Sequence, residues 1–247
     1  MVDLHNLKGK TALITGGTRI GKKVAEALAR HGANIILAYN KSSAEAEKTV
    51  NEIGKYKIKT LILQCDVSSQ NSVANAIVKI KVKFKKIDII VLMASVFGKT
   101  KFEDIKDEDF RKNFNIHVMG TFWPIKESIT LMPRGSHIVT ISDRTFLGNV
   151  YADFIPYIVT KGAVATLTKA LSFELAPRGI FINSIAPGPV LKPDYLSQKE
   201  WEKMRKGSII KYPISDKEAV EEFAKLVLYL STVRSTGAVY PLDFGNL

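Results

Sequence analysis

The chain is poor in cysteine, with one, Cys65, among 247 residues. An internal disulfide is therefore excluded, and a fold held by its own core in a reducing compartment is expected. Cys65 sits in an apolar run and reads as a small buried residue. Long apolar runs are missing as well; none reaches the length of a membrane-spanning helix. The opening Met1-Val2-Asp3-Leu4-His5 lacks the basic and apolar stretches of a secretion signal, so a cytoplasmic location is expected. There is no internal repeat, low-complexity tract or linker, which leaves a single domain over residues 1–247. His5, His31 and His137 are scattered without metal-ligand spacing, so no metal is expected.

Acidic residues are also in deficit. Lys and Arg total 36 against 24 Asp and Glu, a net charge of +12. Such a balance raises the question of a nucleic-acid partner. The lysines of Lys55-Tyr56-Lys57-Ile58-Lys59 and of residues 79–86, however, alternate with apolar residues. They read as solvated faces of a strand and a helix. With no recognition helix and no aromatic-interleaved basic motif, neither a nucleic-acid nor a membrane partner is expected.

What the sequence does hold is a steady alternation of short apolar runs and helical patterns. Strands are expected at 11–15, 35–39, 61–64, 87–93, 137–141, 179–185 and 238–242. Helices are expected at 22–31, 44–53, 71–83, 107–131, 155–176 and 215–231, the fourth strained at Pro124. This order predicts an α/β fold with a doubly wound, seven-stranded parallel sheet covered by helices on both faces. Ligands of such sheets bind beyond the carboxyl ends of the strands. The segments there are 16–21, 40–43, 94–97, 142–150 and 187–195, and the chemistry-bearing residues fall in them or on the helices beside them.

On the helix expected at 155–176, Tyr157 and Lys161 stand four apart and share a face. A lysine there stabilises a phenolate, so the tyrosine can exchange a proton near neutral pH. Upstream, Thr15-Gly16-Gly17-Thr18-Arg19-Ile20-Gly21 joins the first strand to the first helix. Backbone N–H groups of such a turn attract a pyrophosphate. Gly16 permits the turn and Gly21 the close packing of the helix.

Taken with Cys65-Asp66-Val67, Asn183-Ser184-Ile185-Ala186-Pro187-Gly188 and Pro241-Leu242-Asp243-Phe244-Gly245, these motifs resemble, in order and over nearly the whole chain, the short-chain dehydrogenase/reductase family. The resemblance implies a Rossmann fold, a nicotinamide cofactor and a homo-oligomer, either a tetramer built through the two longest helices or a dimer. It implies cofactor contacts from Gly16, Thr18, Arg19, Ile20 and Gly21; from Tyr39, Asn40, Lys41 and Ser42; from Asp66 and Val67; from Ala94 and Ser95; and from Ile141, Tyr157, Lys161, Pro187, Gly188 and Val190. No acid closes the second strand, where one would accept the ribose hydroxyls of NAD and repel a 2′-phosphate. Asn40, Lys41 and Ser42 supply donors and charge instead, and Arg19 is expected to reach the same pocket. NADP(H) is therefore expected.

Finer details resemble the pteridine reductase branch. The usual catalytic serine position holds Asp143. Ser95 and Phe97 match that branch's serine and its pterin-stacking phenylalanine, and Arg19 replaces the middle glycine of the phosphate loop. That loop is one residue short of the family pattern, Leu92 and Met93 replace paired asparagines, and His117 replaces the fourth catalytic residue, an asparagine. The catalytic set is then Asp143, Tyr157, Lys161 and His117, and the substrate set Ser95, Phe97, Asp143, Tyr157 and Tyr195. Several roles stay open. Asp143 either opposes Lys161 when ionised, donates when protonated, or is a surface carboxylate. His117 either holds a relay water, with a titration range overlapping neutral pH, or is a core histidine. Phe97 either stacks on a flat heterocycle or belongs to the core. Residues 195–206, with Trp201 and Met204, form either a substrate lid or a packing helix. The expected activity is NADP(H)-dependent reduction of a C=O or C=N bond, with a pteridine-like compound as the first candidate substrate. A 3-oxoacyl-thioester reductase and a weakly catalytic, cofactor-binding regulatory protein are the alternatives.

Overall fold

A computed structural model describes residues 6–148, 150–194, 196–205 and 214–245. Seven parallel strands form one sheet: β1 (Thr11–Thr15), β2 (Asn34–Tyr39), β3 (Thr60–Gln64), β4 (Ile89–Leu92), β5 (His137–Ile141), β6 (Phe181–Pro187) and β7 (Val239–Leu242). Their spatial order is β3-β2-β1-β4-β5-β6-β7. The order reverses between β1 and β4, which opens a crevice at the carboxyl ends of the central strands. Those strands are apolar on both faces because helices cover both, and β1 and β4 are buried at every position.

The helices are α1 (Ile20–Arg30), α2 (Ser43–Ile53), α3 (Gln70–Phe84), α4 (Asp107–Phe114), α5 (Gly120–Ser128), α6 (Ile155–Leu175), α7 (Gln198–Arg205) and α8 (Asp216–Leu230). On one face α1 and α8 bury Val24, Leu28, Phe223 and Val227 against Ile14, Ile35 and Val91. On the other, α3, α5 and α6 bury Val73, Ile80, Ile125 and Leu175 against Leu13, Ile36 and Ile90. No helix among the described residues is long and apolar enough to cross a membrane.

The expected strands and helices are present, with ends shifted by a few residues. The long helix expected at 107–131 is the exception. It is interrupted by a π-helical turn, Asn115–Met119, before α5, and ends in a 3-10 turn, Ile129–Leu131. The extra residue of a π-turn rotates the helix beyond it. Here it carries His117 inward, where it is 2% exposed. Pro124 is accommodated inside α5.

Candidate active site

A cleft of about 530 Å³ lies at the carboxyl ends of β1, β4, β5 and β6. Its floor begins at the turn after β1. Gly16 has φ +69°, and a Cβ there would come within 2.8 Å of the Met93 carbonyl and the Ala94 nitrogen. A Cβ on Gly21 would lie 2.5 Å from the Gly16 carbonyl oxygen. Both glycines therefore keep β1, β4 and α1 in close approach. No side chain caps α1, and no acid stands in its first turn. The Gly21 N–H donates to the Thr18 carbonyl at 2.9 Å, and the helix start lies beside the cleft residues Gly16, Thr18, Arg19 and Ile20, a placement that fits a dinucleotide's pyrophosphate.

Arg19 caps α1 with φ 52° and ψ −108°, a region that favours glycine. Its guanidinium departs from the expected position. Nη2 donates to the Lys192 carbonyl at 2.5 Å, joining the phosphate loop to the segment after β6 rather than reaching the end of β2. Tyr39, Asn40, Lys41 and Ser42 end β2 outside the cleft lining, with Asn40 and Lys41 exposed. Asp66 and Val67 follow β3. Asp66 Oδ1 accepts from the Ser68 N–H at 3.0 Å and its hydroxyl at 2.7 Å. Val67 packs where a Cβ on Gly120 would sit. Ala94 donates its N–H to Thr15 Oγ1 at 3.4 Å and lies between the cleft residues Met93 and Ser95.

The chemistry gathers between β5 and α6. Tyr157 donates its phenolic proton to Asp143 Oδ2 at 2.7 Å. Asp143 Oδ1 in turn accepts the Thr145 N–H at 2.9 Å. One turn along α6, Lys161 Nζ donates to the Ile141 carbonyl at 2.8 Å and stands 5.8 Å from the centre of the Tyr157 ring. Asp143, Tyr157 and Lys161 are 8%, 8% and 4% exposed. Asp143 is therefore not a surface carboxylate. Burial pushes the Lys161 ammonium down to about 8, against a partial upward pull from Asp143. The neighbouring Ser142 is no substitute for the missing serine: its hydroxyl donates to the Ile185 carbonyl at 3.1 Å and accepts from Ser184 at 2.9 Å.

His117 bridges the loop after β4 to α6. Nδ1 meets Thr160 Oγ1 at 2.9 Å, and Nε2 meets Ser95 Oγ at 2.9 Å and the Val96 N–H at 3.1 Å. The Thr160 hydroxyl also lies 2.8 Å from the Pro156 carbonyl, a bond in which only the hydroxyl can donate. Nε2 also lies 3.1 Å from the Val96 carbonyl, so either tautomer is held between the loop and α6. Burial, reinforced by the charge of Lys161, pushes this imidazole down to about 2. The expected titration near neutral pH is corrected accordingly: His117 is a neutral buried histidine with both nitrogens engaged.

Phe97 lines the cleft and stacks on Phe154 at 4.5 Å, with its ring edge-on to Tyr157 at 4.7 Å. One of its faces is thus already covered. Pro187, Gly188 and Val190 form the far wall, with Ile141 at its base. Gly188 has no room for a side chain, since a Cβ would lie 2.8 Å from Asp243 Cα. Trp201 and Met204 of α7 close the top. Asp216 ties that segment down, its Oδ2 accepting the Lys192 N–H at 3.2 Å and its Oδ1 accepting from Arg205 at 3.0 Å and Trp201 at 3.3 Å. Tyr195 and Lys206 lie outside the described residues. Sequence reasoning missed Arg144, Tyr151 and Asp216. A buried arginine has no signature in a chain this basic, and a tyrosine six residues before Tyr157 belongs to no helical face.

The family model described as enoyl-(acyl carrier protein) reductase matches residues 17–245. The oxidoreductase YhxC of Bacillus subtilis is 33% identical over 190 residues, 76% of this chain and 66% of that protein. The oxidoreductase UcpA of Escherichia coli is 37% identical over 196 residues, 77% of this chain and 73% of that protein. The chain thus spans about two thirds of the length of the first of these relatives and somewhat more of the second. Among solved structures, a short-chain dehydrogenase of Burkholderia cenocepacia in complex with NADP superposes with a TM-score of 0.90 at 26% identity, over 98% of this chain and 99% of that one.

Proposed function

The chain belongs to the short-chain dehydrogenase/reductase family, an oxidoreductase fold, and from that premise we propose that it reduces a C=O or C=N bond with NADPH, on a flat, pteridine-like substrate. The observation that carries this reading is the Tyr157 hydroxyl set 2.7 Å from Asp143, where the family usually places a serine.

When bound, the dihydronicotinamide supplies a hydride to the substrate carbon. Tyr157 supplies the matching proton to the oxygen or nitrogen. Lys161 keeps the resulting phenolate stable, because its charge lies beside the ring in a site with little screening. Asp143 relays the proton back: the carboxylate that accepts from Tyr157 takes up a proton from solvent and passes it to the phenolate oxygen. A ring nitrogen needs a true proton donor, and a carboxyl meets that need better than a serine hydroxyl. Phe97, backed by buried Phe154, gives a flat ring an apolar wall.

Preference for NADPH is supported by the absence of an acid at the end of β2 and by exposed Lys41 beside it. A second copy of the chain is supported by apolar side chains left exposed on α4 and α6, namely Phe110, Phe114, Val159 and Phe173. The net charge of +12 favours the runner-up substrate, a 3-oxoacyl group on an acidic carrier protein. Oxidation of NADPH, followed by absorbance with dihydrobiopterin and with an acetoacetyl thioester, separates the two. Turnover of the pterin supports the pteridine reading; turnover of the thioester alone replaces it.

A further inference from the structure

A second phenol faces the proton-donor pair. Tyr151 lines the same cleft as Asp143 and Tyr157. Its oxygen accepts two bonds from one guanidinium, Arg144 Nε at 3.1 Å and Nη2 at 2.6 Å. The same guanidinium stands 5.1 Å from the centre of its ring. Arg144 is 2% exposed, so its charge acts on the phenol with little screening. Arginine only donates. The Tyr151 oxygen is therefore fixed as an acceptor toward Arg144, and its own proton has no acceptor among the described residues. Burial raises this phenol's pKa, with Arg144 opposing, so the proton is present at neutral pH.

Buried aromatic packing joins the two tyrosines behind the cleft. The Phe154 ring lies 6.0 Å from Tyr151 and 6.4 Å from Tyr157, steeply inclined to both. Phe97 stacks on it. The cleft thus carries two phenols, Tyr151 and Tyr157, with the Phe97 ring beside Tyr157. A ligand that matches it is a flat ring with an oxygen or nitrogen at each end.

We propose that Tyr151, polarised from behind by Arg144, is a specificity residue that donates a hydrogen bond to a second oxygen of the substrate, across a flat ring from the carbonyl or imine that Tyr157 protonates. The assignment rests on the reduction reading for the role of Tyr157. It adds that the substrate carries a second acceptor, best a carboxylate or carbonyl oxygen, because the Arg144 guanidinium holds the Tyr151 oxygen as an acceptor and polarises its remaining proton. A hydrogen bond to such a charged acceptor is among the strong ones.

The test uses two aryl ketones of similar size, 4-acetylbenzoate and 4-ethylacetophenone, which differ in the acceptor across the ring. Their binding to the NADP⁺-saturated protein is measured by calorimetry. The unmodified protein should bind 4-acetylbenzoate at least about 10-fold more tightly. Tyr151→Phe keeps the ring and should weaken 4-acetylbenzoate by about 10-fold or more while leaving 4-ethylacetophenone within about 2-fold. Equal affinities in the unmodified protein, or equal losses of both ketones in the variant, or no loss, overturn the proposal. If Tyr151→Phe does not fold, the affinity ratio in the unmodified protein decides alone. NADPH oxidation measured in parallel keeps the two readings apart: a preserved ratio without turnover of any carbonyl counts against reduction, not against Tyr151.

Discussion

The Tyr157 hydroxyl donates to the carboxylate of Asp143 over 2.7 Å, so the proton donor and the residue in the serine's place form one hydrogen-bonded unit. Replacing either member should therefore have different consequences for different substrates. Tyr157→Phe should lower turnover by about 10² or more on every substrate. Asp143→Ala should cripple pterin reduction, since nothing then reprotonates the phenolate. Asp143→Ser should spare an activated ketone relative to dihydrobiopterin, because a hydroxyl polarises a carbonyl but is too weak an acid for a ring nitrogen. Rates of both variants on both substrates decide this. Equal slowing by Asp143→Ser, or none, would assign Asp143 a structural role through its bond to Thr145.

His117 holds the Ser95–Val96 loop to Thr160 of α6 through both ring nitrogens. It is expected to position rather than to titrate. His117→Ala leaves buried donors and acceptors without partners, at a cost of about 1–3 kcal/mol in urea unfolding. His117→Asn keeps an amide donor and acceptor and should recover part of that loss and of kcat. The pH dependence of kcat between pH 5 and 7 should be the same in His117→Asn as in the unmodified protein. A titration present in one and missing in the other would make His117 a proton carrier.

The fold was legible because the strands are short, apolar and punctuated by glycines, while the helices keep a regular apolar spacing. The pair Tyr157 and Lys161 was legible for the same reason: residues four apart on a helix share a face whatever surrounds them. The inward turn of His117 was not, since it lies in a π-turn, Asn115–Met119, that interrupts an otherwise regular helical spacing. Nor was the direction of Arg19. Its place beside the phosphate loop was plain, but a positive φ at a non-glycine residue leaves no mark in the sequence. Arg144 and Tyr151 escaped because their meaning lies in contact with each other across a loop.

The separate placements of Arg19 and Lys41 predict separate effects on cofactor binding. Lys41 stands exposed at the end of β2, where an acid would select against a 2′-phosphate. Lys41→Asp should weaken NADPH by about 10-fold or more and leave NADH nearly unchanged. Arg19 reaches instead to Lys192 at the mouth of the phosphate cradle. Arg19→Gln should weaken both cofactors in similar proportion. Fluorescence titration of NADPH and NADH gives both ratios. A selective loss of NADPH in Arg19→Gln would return the arginine to the 2′-phosphate pocket, and equal cofactor affinities in the unmodified protein would sink the preference altogether.

Acid should unfold this protein through two buried histidines. Burial pushes His137 down to about 4, helped by the charges of Lys10 and Arg234 and opposed by the Leu230 carbonyl. Burial pushes His117 down to about 2. In the unfolded chain both take up a proton below about 6.5. Between that pH and the folded value the unfolded state binds more protons, so stability is full above about 6.5 and is lost as pH falls. For His137 the loss is complete near 4 and on the order of 3 kcal/mol, at 1.4 kcal/mol per unit. His137 stacks on Phe181 at 5.2 Å, and among the described residues its buried Nδ1 has no partner. An apolar ring can take its place at the loss of one contact, to the Leu230 carbonyl. His137→Phe should match the unmodified protein at pH 7.5 within about 1 kcal/mol and exceed it in stability at pH 5. Urea unfolding at pH 7.5, 6.5, 5.5 and 5.0 measures the difference, and an acid limb of the same steepness in both proteins would show that His137 does not carry it.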